Sequence, residues 1–276
     1  MLYYKKITNE KANDSLVLAY RMIAPESVVL DVGCACGGLA EKLAKEKLCR
    51  VYGLEYNAKS VAVCKKLKVF EEIWQQDLNK VSSKDYPEYV NKFDYIVCAD
   101  VLEHLQRPDI VLRILKQWLK PEGAFVISLP NVAHASMKTN LLLNDFTYTD
   151  IGILDKTHIH FYTYKSIARL LADSGIKIMR VSAVTMPLDG WQPHRLSELP
   201  PETAAFIKKD IHSHIMQYVM LCSPDKRGAV RHNIKMFDSL KVSSASKRLF
   251  QIKRFVVVKM PVILKLMERL WLWKKS

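Results

Sequence analysis

The chain has 276 residues, of which 49% are hydrophobic and 25% charged, with 9 Gly, 11 Pro and 6 Cys. This composition excludes a disordered, collagen-like or coiled-coil protein and is typical of one large globular domain with an appendage, or of two small domains. The six cysteines show no framework spacing, so we expect reduced thiols. The polar N-terminal stretch lacks the apolar core of a signal peptide, which predicts a cytoplasmic protein.

The positive charge is concentrated at the C-terminal end. The chain carries 42 Lys and Arg against 28 Asp and Glu, for a formal net charge of +14. Residues 224–276 hold 14 of these basic residues and 3 of the acidic ones, which leaves 28 against 25 in the rest of the chain. We therefore predict a main domain over residues 1–223 and a basic tail over 224–276 with a partner of its own.

Strand and helix patterns alternate along the main domain. Short apolar runs that end in acidic residues or glycines predict strands buried on both faces, and amphipathic runs between them predict helices. The predicted strands cover 27–32, 49–55, 93–99, part of 121–130, 176–184 and 217–222, and the predicted helices cover 38–47, 58–67, 109–120 and 164–175. Repeated βαβ units of this kind predict an α/β fold with a doubly wound sheet.

A glycine-rich segment, LDVGCACGGLA, follows the first predicted strand. Glycines at this position allow a tight turn and a close approach of a ligand to the backbone, and the next helix offers free N–H groups. In a doubly wound sheet ligands bind beyond the carboxyl ends of the strands. The spacing of Gly33, Gly37 and Gly38 is not the GxGxxG of a dinucleotide fingerprint, so this segment alone predicts a small-molecule site without naming the ligand.

The same segment resembles the first motif of the class I S-adenosylmethionine (SAM) methyltransferases, (D/E)xGxGxG. Asp31, Gly33 and Gly37 match the motif, and Ala35 stands where the middle glycine is usual. The resemblance implies a doubly wound, seven-stranded, Rossmann-like methyltransferase sheet with SAM as its cofactor. It also implies that Glu55, after the second strand, grips both ribose hydroxyls of the cofactor.

Further motifs extend this resemblance over roughly residues 25–185. The family's acidic residue near the adenine amine falls at Asp77, for which a helix N-cap is the alternative role. Residues 93–105 and 119–131 resemble the fourth and fifth strand segments of the family. The implied cofactor-binding residues are Asp31, Gly33, Cys34, Ala35, Gly37, Glu55, Tyr56, Asp77, Leu78 and Asp100.

The segment ADVLEHL follows the fourth strand. Asp100, Glu103 and His104 stand at i, i+3 and i+4, so a helical turn would point all three from one face. Similar segments occur in ubiquinone-type O-methyltransferases and small-RNA 2′-O-methyltransferases, where acids and histidines hold a divalent metal. We favour a general base without metal because the first acid is the shorter Asp. The alternative is a metal site formed by Asp100, Glu103, His104 and His158, or with His160 in place of His158.

The stretch from 128 to 175 resembles methyltransferases encoded with bacterial cell-surface polysaccharide pathways. That resemblance implies a sugar hydroxyl as acceptor, with His134, His158 and His160 at the border of the acceptor pocket and residues 187–206 as a loop and short helix over it. A histidine near the methyl group suits the role of base, since its ordinary pKa of about 6.5 lets it accept a proton at neutral pH. We expect His104 to be that base, with His158 as the alternative and His160 as a third candidate.

The basic tail interleaves Lys and Arg with aliphatic and aromatic residues. None of its uncharged apolar stretches reaches the roughly 20 residues that span a bilayer, so residues 245–276 predict an interfacial segment on an anionic membrane surface. A cap that packs on the domain or on a dimer partner is the alternative. The Val-Val-Val run at 256–258 does not favour nucleic acid as a partner.

Three functions remain open on the sequence. The first is an O-methyltransferase, peripheral on the inner face of the cell membrane, acting on a sugar of a cell-envelope glycan or its lipid-linked precursor. The second is a metal-dependent O-methyltransferase acting on RNA ribose or a quinone-type phenol. The third is a non-catalytic, membrane-tethered module with the SAM fold, and the sequence does not fix the oligomeric state of any of them.

Overall fold

A computed structural model describes residues 13–190 and 193–224. All but the first residue of the predicted basic tail therefore lies outside the described residues. The strands are β1 Val28–Val32, β2 Arg50–Glu55, β3 Phe70–Gln75, β4 Phe93–Ala99, β5 Leu119–Pro130, β6 Ile176–Thr185 and β7 Ile215–Pro224. The helices of the described residues are α1 Ser15–Met22, α2 Gly38–Lys47, α3 Ala58–Leu67, α4 Pro108–Trp118, α5 Ala135–Leu142, α6 Tyr164–Asp173 and α7 Pro201–Lys209.

The seven strands form one sheet in the order β3-β2-β1-β4-β5-β7-β6. β7 runs antiparallel to β5 and β6, and the other neighbours are parallel. The predicted doubly wound sheet is confirmed. The strand order reverses between β1 and β4, and the carboxyl ends of β1, β2 and β4 meet at the edge where such sheets bind ligands.

Alternating residues of the central strands build a core on each face of this sheet. Leu30 and Val32 of β1 belong to the larger apolar cluster, while Val29 belongs to a second cluster with Val51 and Val97 of the neighbouring strands. This division follows from the period of two along a strand. Because both faces are covered, the central strands read as continuous apolar runs, as expected for a parallel sheet.

Three elements have no counterpart among the predicted ones, namely α1, β3 and α5. β3 is one of the two edge strands, and its sequence FEEIWQ leaves all six residues at least partly exposed, so it lacks the apolar run of the central strands. α5 buries Ser136, Thr139 and Asn140 along with Ala135 and Met137, while Leu141 and Leu142 are exposed, so its polar positions do not mark a solvent face. α1 begins after the N-cap Asp14, whose side chain accepts a hydrogen bond from the Leu16 amide.

All six cysteines are free and buried, which agrees with the expected reduced thiols. Within residues 13–190 and 193–224, every helix is too short or too polar to cross a membrane.

Candidate active site

The glycine-rich loop after β1 adopts left-handed backbone conformations at three alternate positions. Gly33 has φ 69°, Ala35 has φ 48° and Gly37 has φ 78°. Gly37 is the N-cap of α2, so the amides at the start of that helix face the loop. A β-carbon destabilises the left-handed conformation by about 1–2 kcal/mol. Ala35 has this β-carbon, and the two glycines do not.

Glu55 is fixed at the carboxyl end of β2 by two backbone amides. Its Oε2 accepts a hydrogen bond from the Ala35 amide at 2.9 Å, and its Oε1 accepts one from the Asn57 amide at 2.7 Å. Each carboxylate oxygen has a second lone pair. The pair of oxygens is therefore oriented beside the loop and still able to accept hydrogen bonds from a vicinal diol.

Asp31 lies at the end of β1 with 3% of its surface exposed. Its Oδ2 atom is buried and has no hydrogen-bond partner. Burial, together with the charge of Glu55, raises the pKa of Asp31 to about 7. A buried acceptor without a partner is costly, and a hydrogen-bond donor or cation of a bound ligand would satisfy it. The loop, Glu55 and Asp31 thus fit the cofactor that the first motif implies.

The other residues predicted to bind the cofactor differ in their surroundings. Asp77 accepts a hydrogen bond from the Asn79 amide at 3.0 Å and caps the short 3-10 turn Leu78–Lys80, so the N-cap role is present, and its adenine contact stays a prediction. Leu78 is buried and Tyr56 is 70% exposed. Cys34 is buried, and a hydrogen bond with Cys64 and that burial raise the pKa of its thiol.

Asp100 follows β4 in a left-handed conformation with φ 57°. Its Oδ1 accepts hydrogen bonds from the Ser128 hydroxyl at 2.6 Å and from the Gln217 side-chain amide, and its Oδ2 lies 3.5 Å from the Ser15 hydroxyl. The helical turn that follows covers only Leu102–His104. Asp100 therefore does not share one face with Glu103 and His104, because its backbone turns its carboxylate toward β5 and β7.

Glu103, His104 and His158 converge instead. One potential ligand atom from each lies within 4.8 Å of the others. His158 Nε2 is 3.9 Å from Glu103 Oε1, and the two imidazole rings meet edge to face with centroids 4.8 Å apart. The Ile159 and His160 amides both donate to the Glu103 carbonyl, at 3.0 and 3.1 Å, which holds the segment of His158 against the turn of Glu103.

The two histidines have matching orientations. His158 Nδ1 lies 3.0 Å from the Ile153 carbonyl oxygen, and His104 Nδ1 lies 3.1 Å from that of Thr157. A carbonyl oxygen only accepts, so each Nδ1 carries a proton, and in the neutral form of each ring the lone pair is on Nε2. Burial lowers the pKa of His158, which also favours its neutral form. Backbone acceptors of this kind fix the tautomer and orientation of a base or of a metal ligand.

Glu103 is the buried acid of this cluster. It is 1% exposed, and neither carboxylate oxygen has a hydrogen-bond partner. Burial, with a smaller contribution from the charge of Asp100, raises its pKa well above the usual range. A divalent cation, which carboxylate and imidazole donors suit, would satisfy both oxygens. Glu103, His104 and His158 fit such an ion, and Asp100 is not among the converging groups.

The other two histidines of the acceptor-side prediction differ from each other. His134 is fully buried, caps α5 by accepting from the Ser136 amide at 3.2 Å, and has its pKa lowered by burial to about 4. The prediction that His134 borders an open pocket is wrong, since the ring is a structural cap. His160 stands next to the cluster in sequence, and its Nε2 is buried without a hydrogen-bond partner.

Sequence reasoning did not find the residues that orient these groups. Asn57 had a detectable signal, because it precedes a helix with the side chain of a typical N-cap. Ser128, Gln217 and Thr157 had none, since each reaches its partner across the fold. The predicted loop and short helix over 187–206 correspond to the 3-10 turn Leu196–Glu198 and the start of α7.

Comparisons with known proteins show the family to which the chain belongs. A family model described as "Methyltransferase domain" matches residues 4–181. The mitochondrial ubiquinone biosynthesis O-methyltransferase of Saccharomyces cerevisiae is 27% identical over 184 residues, or 63% of this chain and 58% of that protein. The corresponding enzyme of Escherichia coli is 35% identical over 104 residues, or 37% of this chain and 42% of that protein. The chain thus spans about half the length of these curated relatives.

Solved structures share the fold at low sequence identity. Magnesium protoporphyrin IX methyltransferase from Synechocystis, solved with bound S-adenosylhomocysteine, superposes with a TM-score of 0.50 at 17% identity, covering 77% of this chain and 82% of that one. The [4+2]-cyclase SpnF reaches 0.53 at 14% identity, covering 80% and 86%. The same fold therefore supports different reactions. The chain belongs to the methyltransferase-domain family, whose model matches more than half of its residues.

Proposed function

We propose that the chain methylates a hydroxyl oxygen, and that the acceptor is a sugar of a cell-envelope glycan or of its lipid-linked precursor. The observation that carries the transfer to oxygen is the convergence of His104 and His158 beyond the carboxyl end of β4, each with its Nδ1 on a backbone carbonyl. A hydroxyl becomes a good nucleophile only when its proton is removed. An imidazole whose Nε2 is unprotonated can accept that proton.

The cofactor side of the site orients the methyl donor. SAM, when bound, supplies an electrophilic methyl group on a sulfonium centre. Glu55 would accept hydrogen bonds from the ribose hydroxyls, and Asp31 would offer its buried carboxylate to the positively charged end of the cofactor. Holding donor and acceptor in line can account for about 7–11 kcal/mol of a barrier in the best cases, so placing the two reactants is the main task of these residues.

The acceptor side removes the proton. As the acceptor oxygen forms its bond to the methyl carbon, the carbon–sulfur bond breaks, and the hydroxyl proton passes to Nε2 of His104 or His158. The Nδ1 hydrogen bonds to Thr157 and Ile153 hold each ring in position and stabilise the imidazolium that results. The choice of a sugar as acceptor rests on the resemblance to methyltransferases of polysaccharide pathways that we infer from the sequence of residues 128–175.

A quinone-type phenol is the second candidate acceptor, with a divalent metal at the same cluster. Glu103 is the specific observation in its favour, because a buried carboxylate with both oxygens unpaired suits a cation. The ubiquinone biosynthesis O-methyltransferases among the relatives agree with a phenol. Glu103, His104 and His158 would hold the ion, which when bound lowers the pKa of an acceptor hydroxyl.

Labelled methyl transfer tests these acceptors. The full chain is incubated with methyl-labelled SAM and a bacterial extract, which is then separated into lipid, polysaccharide, RNA and protein, with and without EDTA. EDTA-resistant label in lipid-linked or polymeric glycan is the expected result. EDTA-sensitive label in a quinone or in RNA would move the assignment to the metal-dependent alternative.

Histidine variants test the base. We expect His104→Ala or His158→Ala to lower the rate of transfer by about 10²- to 10⁴-fold while S-adenosylhomocysteine still binds. His214→Ala is the matched control, because the ring of His214 contacts the Lys208 carbonyl near the end of α7 and does not belong to the cluster. Unchanged transfer by both site variants would remove the histidines from the reaction.

A further inference from the structure

Exposed apolar side chains are concentrated in one segment next to the catalytic cluster. Fourteen large hydrophobic residues are exposed in the described part of the chain, and six of them fall within residues 141–159. We call these six the apolar rim: Leu141, Leu142, Phe146, Tyr148, Ile151 and Ile159. Single exposed apolar residues need no explanation, but exposed apolar residues in contact mark an interaction site, and the rings of Phe146 and Tyr148 meet edge to face with centroids 5.7 Å apart.

Aromatic contacts connect the rim to the reactive histidines. Phe161 packs edge to face against Phe146, with ring centroids 5.5 Å apart, and lies 6.1 Å from the ring of Tyr148. The same Phe161 ring is 6.4 Å from His158. A hydrophobic group attached to a molecule that reacts at His158 would therefore meet the rim first.

The rim has a fixed backbone and an apolar base. The Thr149 amide donates to the Leu154 carbonyl at 2.8 Å, and the Lys156 amide donates to the Thr149 carbonyl at 2.9 Å. Beneath it, Leu154 is fully buried with Met137 and Ile153. The exposed side chains are thus presented by an ordered loop, so little conformational entropy is lost when they are covered.

The charges of this segment indicate which chemistry covers it. Its three acids are engaged locally: Asp145 with Thr147 and His194, Asp150 with Lys156, and Asp155 with Thr157. Lys156 is the one Lys or Arg between residues 141 and 159. A surface with three acids and one base does not attract phosphates or anionic headgroups, whereas uncharged hydrocarbon matches it.

We infer that the apolar rim binds the hydrocarbon chain of a lipid-linked acceptor, and so places the acceptor hydroxyl at His104 and His158. The transfer of a methyl group to the bound lipid rests on the proposed function, whereas the binding of the hydrocarbon chain does not. The hydrocarbon chain of the acceptor lies along Phe146 and Tyr148, and the polar end of the acceptor reaches the two histidines past Phe161. Of the two glycan acceptors considered above, it selects the lipid-linked precursor rather than a finished, water-soluble glycan.

Alkyl maltosides test the rim without a known acceptor. Octyl, decyl and dodecyl maltoside are titrated into the full chain below their micelle concentrations by calorimetry, with maltose as the headgroup control. Each buried methylene contributes about 0.8 kcal/mol, so a chain-binding site gives affinity that rises by about two- to fourfold per methylene. A flat series, or binding of maltose equal to that of dodecyl maltoside, overturns the inference.

Two matched variants locate the binding. Phe146→Ser combined with Ile151→Ser should weaken dodecyl maltoside at least tenfold, whereas Phe206→Ser, on α7 and 76% exposed, should leave it unchanged. Dodecyl maltoside affinity that is weakened equally in both variants, or in neither of them, contradicts the rim as the binding site. S-adenosylhomocysteine affinity is measured on each variant, so that unfolding is detected. Methyl transfer is measured separately, because maltoside binding without transfer would count against the proposed function alone.

A photo-cross-linker identifies the occupant. The full chain with Tyr148→p-benzoylphenylalanine is irradiated with dodecyl maltoside, and the products are mapped by mass spectrometry. An adduct of the alkyl chain is expected, and Phe206→p-benzoylphenylalanine should not give it. A cross-link to residues 225–276, or between two copies of the chain, in place of that adduct would show that the protein itself covers the rim.

Discussion

At the scale of single residues, two buried carboxyl groups define the two halves of the site. Asp31 has an unpaired oxygen next to the cofactor loop, and Glu103 has two next to the histidines. In each case burial raises the pKa. Both groups lower the stability of the ligand-free protein when ionised, which is the behaviour expected where the native structure is prepared for a ligand.

Asp31→Asn should separate stability from cofactor binding. The pKa of Asp31 lies near 7 in the folded chain and near 3.8 when unperturbed, so the folded state holds this proton more tightly. Its stabilising effect is complete below about pH 4 and is lost as the pH rises toward 7. We expect the melting temperature of the wild type to fall more steeply between pH 5 and 8 than that of the variant.

The size of that difference follows from the tighter hold on the proton. Each tenfold gain in proton affinity on folding corresponds to about 1.4 kcal/mol, so the difference in the free energy of unfolding is a few kcal/mol at most. The variant should also bind S-adenosylhomocysteine at least tenfold more weakly in calorimetry. Asp173→Asn, exposed at the end of α6, is the control. Parallel melting curves for wild type and Asp31→Asn across this pH range would show that Asp31 is not the responsible group.

Glu103→Gln distinguishes the two proposals for the acceptor side. Gln has nearly the same shape but no charge, and it is a weak metal ligand. If the cluster holds a divalent ion, Mn²⁺ should raise the melting temperature of the wild type and not that of Glu103→Gln. A metal-free site predicts no rise in either protein and methyl transfer that survives EDTA. Asp100→Asn should behave as the wild type in this metal assay, because Asp100 is turned away from the cluster.

At the scale of elements, the sequence predicts the repeated βαβ units and misses elements that lack a repeating pattern. The βαβ alternation over residues 27–130 has strong periodicity, and the structure follows it. β3 escapes prediction because an edge strand has no second neighbour and does not need an apolar run. The i, i+3, i+4 spacing after β4 predicts one helical face from residue 100 onward, but the left-handed Asp100 ends that register.

The site shows the same division. The predicted cofactor residues follow consecutive strands, so local motifs are enough to propose them. The meeting of His158 with Glu103 joins residues 55 positions apart and depends on two amides that donate to the Glu103 carbonyl. The family resemblance suggests this meeting only as one alternative, with Asp100 included, because no local pattern shows where a carboxylate points.

His194 connects two loops beside the acceptor side. Its Nε2 lies 3.3 Å from Asp145 Oδ2 and its Nδ1 lies 3.2 Å from Glu198 Oε2. A neutral imidazole has one N–H, so both contacts are hydrogen bonds only when the ring is protonated. We expect His194→Ala to speed hydrogen exchange at the Thr147 amide, which donates to Asp145. His214→Ala should not, and equal exchange in all three proteins would mean that His194 does not hold the loop.

At the scale of the whole molecule, the charge divides the chain in two. The first 223 residues are nearly balanced, with 28 basic and 25 acidic side chains, and the methyltransferase sheet is complete by Pro224. The 11 excess positive charges of residues 224–276 are therefore not needed for the sheet. Their predicted partner is an anionic membrane surface, which would bring the apolar rim close to lipid-linked acceptors.

Deletion of residues 245–276 tests whether the tail binds the membrane while the main domain binds the cofactor. Each Lys or Arg near an anionic bilayer contributes about 1 kcal/mol, and this segment carries 9 of the 14 basic residues of the tail against Glu268. The full chain should sediment with vesicles containing phosphatidylglycerol, and less so at high salt because counterions screen the attraction. The truncated chain should stay in the supernatant and bind S-adenosylhomocysteine with unchanged affinity. If it instead loses cofactor binding and its cooperative melting transition, the tail is a structural cap on the domain, and the membrane would have to be reached through the apolar rim alone.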